Sequence, residues 1–330
     1  MSRTYNQWQR KVSLLVFTGD KTMDLSEFRI RFSVEGADVE SPNSCSIRIY
    51  NLSPKTIKSI RGEYSDVVLQ AGYEGGNYGV IFRGSIKQYR IGRENAVDAY
   101  LDILASDGDI GYNQGVVCSA LKAGSTPRQA IEECTAAMAK AQPGMTTDLE
   151  QSLRIDKQYV PSIRGQVLFG MARARLRNIA THLDAAWSIQ DGRVVLTDNS
   201  GYREGESVNV NVGTGLVGVP EQTDQGIRFT CLLNSRLRIG NLVKLNNSEI
   251  TTLLHQNPNS APIAYNQRTA FFNLAPLSPD GKYRALVIEH EGDTRGDQWH
   301  THVVGLAFNE SAGSSPVNSE TGLHSYVERT

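Results

Sequence analysis

A two-residue rhythm constrains this chain more than any other feature. Phe28, Ile30, Phe32 and Val34 alternate with Arg29, Arg31 and Ser33, the period of a strand with one buried face. Cys45, Ile47 and Ile49 repeat the pattern, as do Val97, Ala99, Leu101, Ile103 and Ala105. Val67 to Tyr73 and Val80 to Ile86 flank Glu74-Gly75-Gly76-Asn77, which reads as a turn between paired strands. A chain filled with such strands has sheet edges that must be closed, covered or paired. One helix interrupts them. In Asn51-Leu52-Ser53-Pro54, Ser53 suits an N-cap and Pro54 the first helical position. Ile57 and Ile60 then give an apolar edge to a short helix ending at Gly62.

The rhythm changes near Asp107-Gly108-Asp109. Thr126-Pro127-Arg128-Gln129 is a capping-box pattern. Ala130, Ile131, Cys134, Ala137, Met138 and Ala141 follow on helical spacing, and Pro143-Gly144 stops the helix. A second helix is expected from about Gly165 to Ala186, with a stripe of Leu168, Met171, Ala172, Leu176, Ile179 and Leu183. Asp191-Gly192, between Trp187-Ser188-Ile189-Gln190 and Arg193-Val194-Val195-Leu196, predicts a hairpin. Later strands are expected over Ile227 to Leu233, Leu242 to Leu245, Tyr283 to Glu289 and Thr301 to Phe308. Asn246 to Pro279 reads as a long loop, and Glu310 to Thr330 as a flexible polar tail. No internal repeat is visible at the level of identity.

At 330 residues, two or three domains are expected. Lys plus Arg is 34 and Asp plus Glu is 35, so the net charge is −1, which argues against a general basic surface for nucleic acid. No apolar run is long enough to span a membrane. Val12 to Phe17 is too short a stretch, and too soon interrupted, for a signal peptide. Cys45, Cys118, Cys134 and Cys231 form no CxxC, and all four are expected to be reduced core thiols.

Signatures of catalysis are sparse. No GxxxxGK[ST], GxSxG, HExxH or EF-hand loop is present. The glycines of Tyr73 to Gly79 precede strand residues, not a helix, so a hairpin is expected there rather than a phosphate loop. His300 and His302 share one strand face near His290, Glu291, Asp293 and Asp297, but no fixed metal-ligand spacing is met. Asp107/Asp109 and Glu289/Glu291 are acidic pairs of the kind that also occur in turns and at strand ends. Arg173, Arg175 and Arg177 read as a solvated helix face, with a basic contact face as the sharper alternative. Tyr89-Arg90-Ile91-Gly92-Arg93 is the nearest approach to an aromatic-basic groove and reads as the exposed end of a strand.

Several stretches taken in order resemble the N-terminal domain of baseplate hub proteins of tailed bacteriophages. They are Ser46-Ile47-Arg48-Ile49-Tyr50-Asn51-Leu52-Ser53, Val68-Leu69-Gln70-Ala71-Gly72-Tyr73 and Ile81-Phe82-Arg83-Gly84-Ser85-Ile86. Gly215 to Pro220, Phe229 to Asn234 and Glu289 to Thr294 followed by Trp299 are similar to later parts of the same proteins. The resemblance implies a mainly β (α+β) fold in which small β-barrel hub domains flank an α/β module. The expected boundaries are 1–108 for the first barrel-like domain, 109–200 for the module, 201–310 for the second β-rich domain and 311–330 for the tail. It implies a homotrimeric ring adapting a sixfold tail tube to a threefold central spike, with a channel for DNA and no sequence-specific DNA binding. The implied partners are the tube protein above, the spike protein below, and wedge or tape-measure proteins. No enzyme activity, cofactor or metal is expected. The implied place is the virion tail baseplate, assembled in the host cytoplasm. A tail-associated cell-wall hydrolase and a nucleic-acid-binding β-barrel are the alternatives. Leu323, Tyr326 and Val327, at helix-compatible spacing in the tail, are the candidate partner-docking residues.

Overall fold

The structure, a computed structural model, describes Gln7 and residues 9–148, 161–199, 201–203, 207–252 and 275–308. The candidate residues Leu323, Tyr326 and Val327 lie outside the described residues.

The chain opens with β1 (Arg10–Thr18), β2 (Lys21–Asp24), β3 (Ile30–Ala37) and β4 (Ser44–Tyr50). Helix α1 (Pro54–Glu63) precedes β5 (Asp66–Tyr73), β6 (Gly79–Arg93) and β7 (Ala99–Ser106). The middle third holds α2 (Asp109–Gln114), β8 (Val116–Leu121), α3 (Pro127–Ala141) and β9 (Thr146–Asp148). It continues with β10 (Gln166–Met171), α4 (Ala172–His182), β11 (Ala185–Gln190) and β12 (Arg193–Asp198). The last third holds β13 (Val208–Asn209), β14 (Leu216–Thr223), β15 (Gly226–Leu232), β16 (Leu242–Lys244) and β17 (Thr251–Thr252). Two long strands, β18 (Lys282–Asp293) and β19 (Trp299–Ala307), complete it.

Local chemistry explains the elements that the sequence announces. Ser53 Oγ accepts from Thr56 N at 3.1 Å and starts α1. Thr126 and Gln129 form the reciprocal capping box of α3, at 3.4 and 3.1 Å; a cap of this kind stabilises by about 1 kcal/mol. The Tyr73 to Gly79 glycines make the β5–β6 hairpin. Gly72 there has φ +152°, and a Cβ on it would fall 1.8 Å from the Asn77 carbonyl oxygen, so no side chain fits.

The first and last thirds share one sheet. Its strand order is β17-β14-β15-β19-β18-β3-β4-β7-β6-β5-β1-β2, with β13 and β16 attached beside β18. The protein is therefore mainly β, as expected. Among the described residues no strand pairing closes either half of this path into a ring, so the expected small barrels are not closed here. The sheet curls instead: Leu14 of β1, Ile47 of β4 and Leu101 of β7 bury into one core, which Leu233 and Trp299 complete. A second core gathers Ile227, Phe229, Tyr283 and Val303. The middle third has its own, built on Ile131, Met138, Leu176, Trp187 and Leu196.

Two expectations are corrected. The helix predicted from Gly165 to Ala186 is strand β10, helix α4 and the start of β11. Gln166 to Met171 pair with β8, which gives their backbone groups long-range partners, and Gly170 at φ +114° does not suit a helix. Of the four thiols expected in the core, Cys45, Cys134 and Cys231 are buried and Cys118 is exposed; all are free. Cys118 faces away because the β8–β10 ribbon offers the core only one side.

Candidate functional site

The seam between the regions carries a backbone ladder, two ion pairs and a polar cleft. It begins with a ladder. Antiparallel pairs from Val287↔Ala37 to Asp293↔Arg31 join β18 to β3. β3 uses its other edge for β4, and β18 its other edge for β19. The two β-rich thirds are thus welded by backbone hydrogen bonds rather than merely abutting.

An ion pair stands at one end of this ladder. Arg284 Nη2 lies 2.5 Å from Asp38 Oδ2, with side chains 9% and 1% exposed. Arg284 Nη1 donates to the carbonyls of Asp198, at 2.9 Å, and Gly201, at 3.1 Å. Ser188 Oγ donates to the other Asp38 oxygen at 3.4 Å. One guanidinium on β18 therefore holds the end of β3 and the end of β12 together. Removing one partner of such a pair costs about 3–5 kcal/mol, because the other charge stays buried. At the opposite end Arg29 grips Asp293 at 2.7 Å and lies 4.6 Å from the Tyr50 ring. Burial pushes the Asp293 carboxyl up, but the Arg29 hydrogen bond and backbone donors from Arg295 and Gly296 outweigh it and hold it below the usual range.

Between these ends, a cleft of about 70 Å³ opens where all three regions meet, lined in part by Asp107, Asp191, Arg238 and His290. Asp107 Oδ1 accepts from Gly192 N, in the β11–β12 turn, at 2.8 Å. Burial, reinforced by the charge of Asp191, pushes its carboxyl up to about 7. Burial, then Arg238, pulls His290 down to about 4, so the ring is neutral at pH 7. His290 Nδ1 pairs with Thr301 Oγ1 at 2.9 Å.

The residues singled out in the sequence divide among these places. Asp107 and Asp109 separate: Asp107 is buried at the seam, and Asp109 takes the Lys87 ammonium at 2.9 Å. Glu289 and Glu291 stay on one sheet face beside His300 and His302. The two imidazole centroids are 6.4 Å apart, and His302 Nε2 lies 3.8 Å from Glu291. Burial, then the charges of Glu291 and Glu35, raise the Glu289 carboxyl. His290 faces the opposite, buried side. Among the described residues no group of three His, Cys, Asp or Glu is placed to hold a metal ion. Arg173, Arg175 and Arg177 reach three separate acceptors, Asn113 Oδ1, the Phe169 carbonyl and Glu40. They are ties between elements, neither a freely solvated face nor a focused anion site. Tyr89 is tucked in, donating to the Tyr64 carbonyl at 2.8 Å, while Arg90 and Arg93 remain exposed.

Asp38 and Arg284, the centre of the seam, went unnoticed in the sequence. A signal existed. Arg284 stands inside the apolar run Tyr283 to Ile288, and a charge at a position patterned for burial demands a partner.

A curled sheet welded from two β-rich regions, with a helix-bearing module docked at the weld, is the fold of phage-type tail proteins. The tail protein from Neisseria meningitidis MC58 superposes with a TM-score of 0.53 at 11% identity, covering 90% of this chain and 96% of that one. The 43 kDa tail protein of prophage MuSo2 from Shewanella oneidensis gives 0.52 at 8% identity, covering 91% and 98%. The E. coli c3393 protein is described as a type VI secretion component structurally similar to T4 bacteriophage tail proteins gp27 and gp5. It gives 0.52 at 10% identity, covering 94% and 79%. The family model described as Baseplate hub gp41 matches residues 11–257. The chain belongs to this family of phage baseplate hub proteins. No curated protein matches the sequence.

Proposed function

We propose that this protein is the central structural hub of a phage tail baseplate, three copies forming a ring between a sixfold tail tube and a threefold spike. The single observation that carries the reading is the β3–β18 ladder with its Asp38–Arg284 pair. It makes the two β-rich regions of one chain a rigid unit, as a ring joining unlike symmetries requires. In this reading the units are 1–108, 109–200 and 201–310, the two β-rich ones standing barrel-like in a ring of six around a channel for DNA. A near-neutral net charge of −1 suits a body that buries large protein contacts. Assembly occurs in the host cytoplasm, and tube, spike, wedge or tape-measure proteins are the partners. The 311–330 tail docks onto a neighbour or the spike through Leu323, Tyr326 and Val327.

Counting hub chains in purified tails by image reconstruction and quantitative mass spectrometry tests this. Three copies are expected, and any other number refutes the ring. Truncation after Phe308 should leave the chain folded and weaken partner assembly. A truncated chain that assembles infectious tails as well as the full chain refutes the docking role.

A further inference from the structure

We infer that the outward face of the β8–β10 ribbon seats the β14 edge of a second copy of this chain, head to tail; the inference rests on the trimeric reading above. Leu168 and Val117 turn into the core, so their neighbours turn out. That outward face consists of Val116, Cys118 and Ala120 on β8 and Val167, Phe169 and Met171 on β10, paired directly opposite one another. Val167 is 75% and Phe169 64% exposed. Among the described residues the ribbon has no third strand. The ribbon's inner face rests on α3 and α4, and a contiguous apolar face left on its outer side marks an interaction surface.

Charge points to the occupant. Segments 115–123 and 161–177, which form the ribbon and its flanks, carry Lys122, Arg164, Arg173, Arg175 and Arg177 and no acidic residue. The three helix arginines are engaged as described, which leaves Lys122 and Arg164 exposed beside the apolar face. The partner surface should be apolar with an acidic rim, and the chain carries one. Residues 207–224 hold Glu221 and Asp224 and no Lys, Arg or His. In the same stretch Val212 is 77% and Val219 57% exposed, with Val217 beside them. β14 pairs with β17 only at Glu221 and Gln222, so the backbone from Leu216 to Val219 has no strand on that side among the described residues. The two surfaces belong to different thirds of the chain. A contact between unlike patches is heterologous, and it closes into a ring when the rotation allows.

Native Cys118, directly opposite Phe169, supplies the probe. The full-length chain carrying Val219→Cys is oxidised across a concentration series, then resolved on non-reducing gels alongside native mass spectrometry. Covalent species up to the trimer are expected, all abolished by adding Cys118→Ser. Phe169→Asp, with native circular dichroism, is expected to raise the concentration needed for association by roughly tenfold or more. A wild-type trimer that Phe169→Asp leaves intact, with cysteines at 212, 217 and 219 all unlinked, overturns this contact and spares the trimer. A Cys118-dependent link in an assembly of another size supports the contact and overturns the trimer. Loss of tail-tube binding alone, with the trimer intact, gives the ribbon to another partner and overturns the inference.

Discussion

The middle third contains two apolar strand pairs of similar composition and opposite fate. In the β11–β12 hairpin, Trp187, Ser188, Ile189 and Gln190 are all buried, as are Val194 to Thr197 on the paired strand. In the β8–β10 ribbon, strand residues alternate and one apolar face stays open. Connection accounts for part of the difference. An Asp-Gly turn closes the hairpin locally, while the ribbon brings together segments separated by helix α3. Surroundings account for the rest. Asp107 holds the hairpin turn, and Arg284 and Arg238 reach to its two ends. Among the described residues no comparable element covers the ribbon's outward face. Apolar composition therefore does not mark the core here; the number of sides on which other elements pack does.

The sharpest break in that comparison is a pair of truncations. Trp187, 1% exposed and stacked at 6.2 Å on Tyr112, should cost about 3–5 kcal/mol as Trp187→Ala. Phe169→Ala on the ribbon should stay within about 0.5 kcal/mol. Urea unfolding of both variants checks this, and equal losses would erase the distinction between the two strand pairs.

Asp38→Asn strands the Arg284 guanidinium that anchors the end of β12. A loss of about 3–5 kcal/mol is expected, most of it recovered when Arg284→Met is added. A double variant as unstable as the single one would show that packing rather than charge holds the hairpin to the seam.

Asp107→Asn probes the hairpin turn through pH. The folded carboxyl titrates at about 7, above its ordinary value near 4. The native state binds this proton more tightly than the unfolded chain does, so the stabilisation is full below about pH 4 and fades as pH rises through 7. Wild type should therefore be less stable than Asp107→Asn at pH 8, by on the order of a few kcal/mol, with the gap narrowing toward pH 4. His290 acts in the opposite sense. Its proton affinity is depressed to about 4, so its contribution is present above about pH 6.5 and lost on acidification through 4. Because His290 is common to both chains, subtracting their melting curves from pH 4.5 to 8.5 isolates Asp107. A pH-independent difference would contradict the assignment.

The smallest effect is at Thr126, whose helix α3 packs beneath the ribbon. Thr126→Ala removes one half of the capping box and should cost about 1 kcal/mol without changing association. Thermal unfolding measures the first part and native mass spectrometry the second.

Elements held by neighbours in the chain are legible from their residues alone in several places. The alternation from Phe28 to Val34 gave strand β3, Ser53-Pro54 and Thr126-Pro127 gave two helix starts, and Asp191-Gly192 gave the hairpin. Each rests on a period, a cap or a turn whose interacting groups lie within a few residues. The ordered stretches from Ser46 to Trp299 also carried the family resemblance. Tertiary structure decided the pairings of distant segments. Gln166 to Met171 have helical spacing in isolation and become a strand only because β8 offers a partner edge. Val34 shows its period without showing that His290 lies opposite it. Asp38 and Arg284 form a pair only once the β3–β18 ladder brings them within 2.5 Å. Side-chain periodicity reports how many faces a strand buries, whereas the identity of the partner depends on a register set by the whole sheet.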